Sequence, residues 1–252
     1  MKNVAAMTSS EKVYETPREQ DPPVLRMPEN HPGQVVPATI SHALSPAKLV
    51  SLLHAVEKNM QTAGTPVILF MGAHEGVGAD NVAFETAYAG ARTGKRVLFI
   101  DTNGSASGVI RQLRSKVPMP LNIASGGEVE SIAPFVNVEG TSLFFATFDE
   151  YKERHSFFPD RRAHIKIIDE LRPVFDLIVV YSESGLSNPL ATILSGLADA
   201  SVLVVQEGRT RIPVIRDLRR LVDMHGGRVV GVVMNKCRSY IPPSVYKALF
   251  SF

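Results

Sequence analysis

The sequence predicts a doubly wound α/β domain with a mainly parallel sheet. Three observations carry that expectation. From residue 66 onward, short apolar runs alternate with amphipathic ones. Several apolar runs, such as Leu177-Ile178-Val179-Val180 and Val202-Leu203-Val204-Val205, are nearly continuous in branched aliphatics, as in strands covered on both faces. The run Val67-Ile68-Leu69-Phe70-Met71 feeds a glycine-rich turn that opens a helical pattern, which puts a ligand site at the carboxyl ends of the strands.

Residues 1 to about 40 contain Pro17, Pro22, Pro23, Pro28, Pro32 and Pro37 among charged and polar residues. Such a segment buries too little apolar surface to offset its ordering entropy, so residues 1–40 read as a flexible arm and 41–252 as the α/β domain. Order begins at Ser45-Pro46, an N-cap followed by proline at the first helical position. Leu49, Leu52, Leu53, Val56 and Met60 mark one helical face, which Gly64 ends. Strands are expected at 66–71, 96–101, 142–147, 176–181, 200–206 and 228–234. Helices are expected at 80–93, 128–135, 161–173, 187–197, 211–224 and 242–250. No internal repeat or second globular domain is visible.

The 27 Lys and Arg nearly balance the 25 Asp and Glu, which argues against coating nucleic acid as the main task. The single Cys237 rules out an internal disulfide and a thiolate metal cluster, and fits a reducing compartment. No apolar run reaches the ~20 residues needed to cross a bilayer, and the start lacks the ~7–15-residue apolar core of a signal peptide. A cytoplasmic location is expected, with any membrane attachment made through a partner.

The stretch from Val67 to Asn103 reads as a nucleotide-binding β–loop–α–β unit with its chemistry removed. A strand (Val67, Ile68, Leu69, Phe70, Met71) runs into the turn Gly72-Ala73-His74-Glu75-Gly76-Val77-Gly78-Ala79-Asp80-Asn81, and a second strand ends on Asp101. A P-loop uses glycines so that backbone N–H groups can wrap phosphates, a Lys to neutralise the outer phosphates, and Ser or Thr to hold Mg²⁺. Gly72, Gly76 and Gly78 remain here, but Ala79 stands at the Lys position and Asp80 at the hydroxyl position.

These segments, with Phe175-Asp176-Leu177-Ile178-Val179-Val180-Tyr181-Ser182-Glu183-Ser184, resemble the deviant Walker P-loop ATPases, a group that includes septum-positioning and partitioning ATPases. The nearest resemblance is to the cytoplasmic bacterial tyrosine kinases of capsule and exopolysaccharide export. It extends through Leu197-Ala198-Asp199 and Val230-Gly231-Val232-Val233-Met234-Asn235, and through the ending Tyr240-Ile241-Pro242-Pro243-Ser244-Val245-Tyr246, so it covers about residues 46–250. The resemblance implies a P-loop NTPase-like fold and a nucleotide site at Gly72, Gly76, Val77, Gly78, Ala79, Asp80, Asn81 and Asn235, with Asp101 at the position of the catalytic base. It implies a partner too, the cytoplasmic segment of an inner-membrane polysaccharide co-polymerase or export protein.

The chain departs from that pattern where the chemistry lies. The acidic neighbour of Asp101 becomes Asn103, the Walker B Asp becomes Tyr181, and its Thr-Pro-Pro becomes Ser182-Glu183-Ser184. The family's Glu-x-x-Arg-x-x-Arg oligomerisation motif is absent from 46–62, and its tyrosine-rich tail is reduced to Tyr240 and Tyr246. Phosphoryl transfer rests on positioning and charge neutralisation. Ala for Lys⁺ and Asp⁻ for a hydroxyl shift the local charge by about two units, each worth a few kcal/mol at an effective dielectric of ~20. Most of a normal Mg·ATP affinity, roughly 8 kcal/mol at a micromolar dissociation constant, is therefore expected to be lost. No cofactor is expected beyond weak ATP binding, and no metal.

His74 and Glu75 read as solvated loop residues filling space that phosphate has left, and Asp101 as a structural carboxylate that caps a helix or bonds the loop. Asn235 stays open between a base contact, or its relict, and a turn residue. The arginines 209, 211, 216, 219 and 220 read as a solvated helix face balanced by Asp217 and Asp223. No Gly-x-Ser-x-Gly accompanies Ser182 or Ser184, and no metal-ligand spacing of His occurs. The expected role is a non-catalytic component or regulator of polysaccharide production and export. An active ATP-dependent tyrosine kinase or ATPase completed by a partner is the alternative, and a partitioning-type module bound to DNA or a septal partner is the second. A homo-oligomer is left open, and nucleic acid is not expected as a partner.

Overall fold

The computed structural model describes residues 46–60, 64–102, 108–117, 121, 135–148 and 161–237. The expected arm 1–40, the N-cap Ser45, Asn103, residues 128–134 of the expected helix 128–135, and the helix 242–250 lie outside the described residues.

Helix α1 (Pro46–Lys58) precedes strand β1 (Val67–Gly72), helix α2 (Ala79–Arg92) and strand β2 (Val97–Asp101). A short helix α3 (Gly108–Arg114), strands β3 (Val136–Asn137) and β4 (Leu143–Thr147), and helix α4 (Arg161–Leu171) follow. The chain continues through β5 (Leu177–Ser182), α5 (Pro189–Ser195), β6 (Ala200–Gln206), α6 (Ile212–Met224) and β7 (Val229–Asn235). All six expected strands occur with boundaries within one residue of the expectation. Helix α3 and strand β3 were not expected, and Phe135, placed in a helix by the sequence, leads into β3 instead.

The strands form one seven-stranded sheet in the order β3-β4-β2-β5-β1-β6-β7. Every pairing is parallel except β3 with β4. The fold is the expected mainly parallel one, P-loop NTPase-like, with β5 central and β1 and β2 on either side of it. Every residue of β1, β2 and β5 is buried, which is why their sequences show no alternation.

One face of the sheet packs against α1, α2 and α3 through Leu53, Val82, Phe84, Ile110 and Leu113. The other packs against α4, α5 and α6 through Ile168, Leu171, Leu190, Leu218 and Val222. On the first face Phe99 stacks on Phe145, with centroids 5.7 Å apart, and meets the Phe84 ring edge-on at 5.4 Å.

The amino end of the sheet is tied by charge. Asp199, the acidic residue of the Ala198-Asp199 pair, accepts from the Val67 backbone N–H at 2.7 Å and from both guanidinium nitrogens of Arg172 at 3.0 and 3.3 Å. That fork joins the starts of β1 and β6 to the end of α4, at the pole opposite the glycine-rich loop. Asp199 is therefore a structural residue, whose position in the motif carries no chemistry.

Candidate functional site

Register brings the three suspected segments together. Asp101 lies level with Tyr181 across β2 and β5, and Phe70 lies level with Tyr181 across β1 and β5. The loop after β1 is anchored where it leaves the sheet by the Ala73 N–H, which bonds the Val204 carbonyl at 2.8 Å. The loop and these strand ends enclose a cavity of about 290 Å³, at the small end of the ~300–1,000 Å³ usual for ligand pockets. Gly72, Gly76, Val77, Gly78, Ala79, Asp80 and Asn81 all line it, joined by His74, Glu75, Tyr181, Glu183 and Lys236.

The loop keeps the backbone of a phosphate cradle. Gly76 and Gly78 have φ of +73° and +82°, the left-handed region that glycine enters without strain, and Gly78 is the N-cap of α2. Gly72 is hemmed in differently, since a Cβ there would meet Val77 Cγ2 at 3.1 Å and the His74 carbonyl at 3.3 Å. Asp80 falls in the first turn of α2, where the helix dipole favours a negative charge. A carboxylate of the chain itself thus sits at the helix end where a P-loop receives phosphate.

The other site residues are placed as follows. Tyr181, at the Walker B position, is 5% exposed and belongs to the core cluster beneath α2, yet it reaches the pocket wall. Asp101 is fully buried and accepts from Arg114 on α3 at 2.8 Å. His74, read from sequence as solvated, is partly buried and bridges the loop to Thr210, with Nε2 and Oγ1 3.1 Å apart. Thr210 in turn accepts the Gln206 N–H at 2.9 Å. Ser182 follows Tyr181 on the strand, so its buried hydroxyl, which has no hydrogen-bond partner among the described residues, faces the other side of the sheet.

Asn235, at the end of β7, donates its amide to the Val77 carbonyl at 2.9 Å and to the Gly78 carbonyl at 3.4 Å. The sequence reading did not single out Lys236. Its ammonium donates to the Gly76 carbonyl at 2.6 Å, and among the described residues it is the one Lys or Arg on the pocket wall. A basic residue directly after the strand-closing Asn was the signal that could have found it. Glu75, Asp80 and Glu183 line the same wall, so among the described residues carboxylates outnumber lysine there three to one. Each such charge opposes a polyphosphate by about 3 kcal/mol at ~5 Å and an effective dielectric of ~20.

Arg209, Arg211, Arg216, Arg219 and Arg220 are exposed around α6, and Arg219 pairs with Asp223 at 3.8 Å. Among the described residues no group of three or more His, Cys, Asp or Glu is arranged to hold a metal ion. No described helix is long and apolar enough to cross a membrane.

No family model matches the chain. In sequence it is 26% identical over 202 residues to the protein named "Putative tyrosine-protein kinase EpsB" of Ralstonia solanacearum, a match over 79% of this chain. The chain spans only 26% of that relative's length. In structure it is similar to the kinase domain of Escherichia coli tyrosine kinase ETK, with a TM-score of 0.61 and 14% identity over 86% of this chain and 88% of that one. It is also similar to the MinC:MinD cell division protein complex of Aquifex aeolicus, with a TM-score of 0.52 and 22% identity over 69% of each chain. Both structural likenesses bear on the fold alone.

Proposed function

We propose, for a chain related to bacterial tyrosine kinases and to the MinD-like P-loop ATPases, a non-catalytic role in exopolysaccharide or capsule production. One observation carries this reading. By the sequence resemblance, Ala79, Asp80 and Tyr181 stand where Lys, the Mg²⁺-binding hydroxyl and the Walker B carboxylate would be, and Asp80 lines a pocket with Glu75 and Glu183. Transfer of a γ-phosphoryl group needs its charge neutralised in the transition state, whereas Ala79 and Tyr181 supply no charge and Asp80 adds a negative one.

A fold that keeps its core and loop without that chemistry remains a binding surface. The proposed partner is the cytoplasmic segment of an inner-membrane polysaccharide co-polymerase or export protein, which would make the chain peripheral to the membrane. Tagged full-length protein should co-purify with such a partner from detergent extracts, and recovery of the chain without it would count against the docking role.

Asp101 favours a second reading, an active kinase completed by a partner, because it occupies the base position. Its burial and its ion pair with Arg114 weigh against it as a base. The purified chain incubated with ATP should form no phosphotyrosine. Phosphotyrosine that forms with ATP, fails to form with a nonhydrolysable analogue and disappears in Asp101→Asn would overturn the non-catalytic role. The asparagine keeps an acceptor for Arg114, so loss of signal would report chemistry rather than folding.

A further inference from the structure

Three consecutive carbonyls of the glycine-rich loop, those of Gly76, Val77 and Gly78, are engaged by two adjacent side chains at the end of β7. We propose that Asn235 and Lys236 form an intramolecular clamp that holds loop 73–78 in the conformation described above without a nucleotide. In P-loop proteins, phosphate oxygens gather the loop's backbone N–H groups, and segments ordered by the γ-phosphate are released when it leaves. Here the loop is gathered from its carbonyl side by residues 157 to 160 positions away in sequence.

Three features single out this contact. Gly78 has no room for a side chain, because a Cβ there would lie 2.6 Å from the Asn235 amide nitrogen. The close approach that a phosphate makes to this glycine in a P-loop is made here by an amide of the chain itself. Lys236 holds φ at +55°, among the described residues the one positive φ outside glycine. A strained backbone of this kind persists only where its surroundings fix it. Finally, the exposed ammonium of Lys236 spends one of its three donors on a loop carbonyl, at 2.6 Å.

The clamp makes the loop surface independent of ATP. It extends the non-catalytic reading, but its test is separate, because a clamped loop is measured without reference to turnover or pathway output. Backbone ¹⁵N relaxation on the full chain reads it directly. The N–H vectors of 74–79 should be nearly as ordered as those of β1 without nucleotide, with order parameters of ~0.85, and unchanged by ATP with Mg²⁺. Lys236→Met should lower them below about 0.6, while Lys236→Arg, which still donates, should stay near wild type. Lys236 is exposed, so these variants should fold, and Asn235→Asp, which removes the amide donor, should act like Lys236→Met.

The amides of β1 and β5 serve as the internal reference and should not change. Three results would each overturn the clamp. They are loop order parameters below about 0.6 in the wild type, order that appears only on adding ATP, and Lys236→Met or Asn235→Asp order parameters equal to wild type. Equal loss of order in loop and sheet would also overturn it, by assigning Lys236 to the whole fold.

Discussion

Gly76 and Gly78 share the left-handed backbone but differ in what surrounds them. A Cβ on Gly76 would meet nothing within 4 Å, whereas one on Gly78 would strike the Asn235 amide. Gly76→Ala should therefore cost about 1–2 kcal/mol of stability from the backbone alone. Gly78→Ala should cost more, on the order of 2–3 kcal/mol, because it also displaces a hydrogen-bonded group. Denaturant unfolding of the two variants checks that ranking, and equal losses would mean that Asn235 yields freely. At this scale the sequence was informative where a motif has fixed spacing. Ala79, Asp80 and Tyr181 could be read as replacements because their neighbours kept the order strand, loop, helix. The partners that now hold the site were not legible. From sequence Asn235 stands open between a base contact and a turn residue, Lys236 is not singled out, and nothing local links Asp101 to Arg114, which lies on a helix the hydrophobic pattern did not reveal.

Among the elements, the buried strands were the most legible because covering both faces leaves them almost wholly apolar. Strand β2 shows what that burial does. Phe99 is fully buried between Phe84 of α2 and Phe145 of β4, so it joins a helix to two strands of the sheet. Phe99→Ala should cost about 3–5 kcal/mol, the usual range for deleting a buried aromatic ring. Val232 on edge strand β7 is 49% exposed, and Val232→Thr should change stability by no more than about 0.5 kcal/mol. Chemical denaturation of the two variants separates core from edge, and a large loss at Val232 would show that the edge is covered in solution. The elements missed are short. Strand β3 has 2 residues and α3 has 7, too few for a period of 2.0 or 3.6 to declare itself.

For the whole molecule, stability and the suspected function lie at opposite poles of the sheet. The Asp199–Arg172 fork fastens the amino ends of the strands, while the glycine-rich loop, Asp101 and Tyr181 meet at the carboxyl ends. That separation would let the proposed loss of a Lys, a hydroxyl and a Walker B carboxylate leave the fold intact. It also makes the loss testable by reversal. The central claim, a phosphate cradle whose charge has been removed, is tested most directly by isothermal titration of the full chain with ATP, with and without Mg²⁺, alongside the double variant Ala79→Lys with Asp80→Ser. The wild type should bind ATP weakly and almost independently of Mg²⁺, and the double variant should bind it measurably more tightly. Micromolar, Mg²⁺-dependent binding by the wild type would contradict the account, because a pocket lined by Glu75, Asp80 and Glu183 would then be holding the metal nucleotide that its charge is argued to refuse.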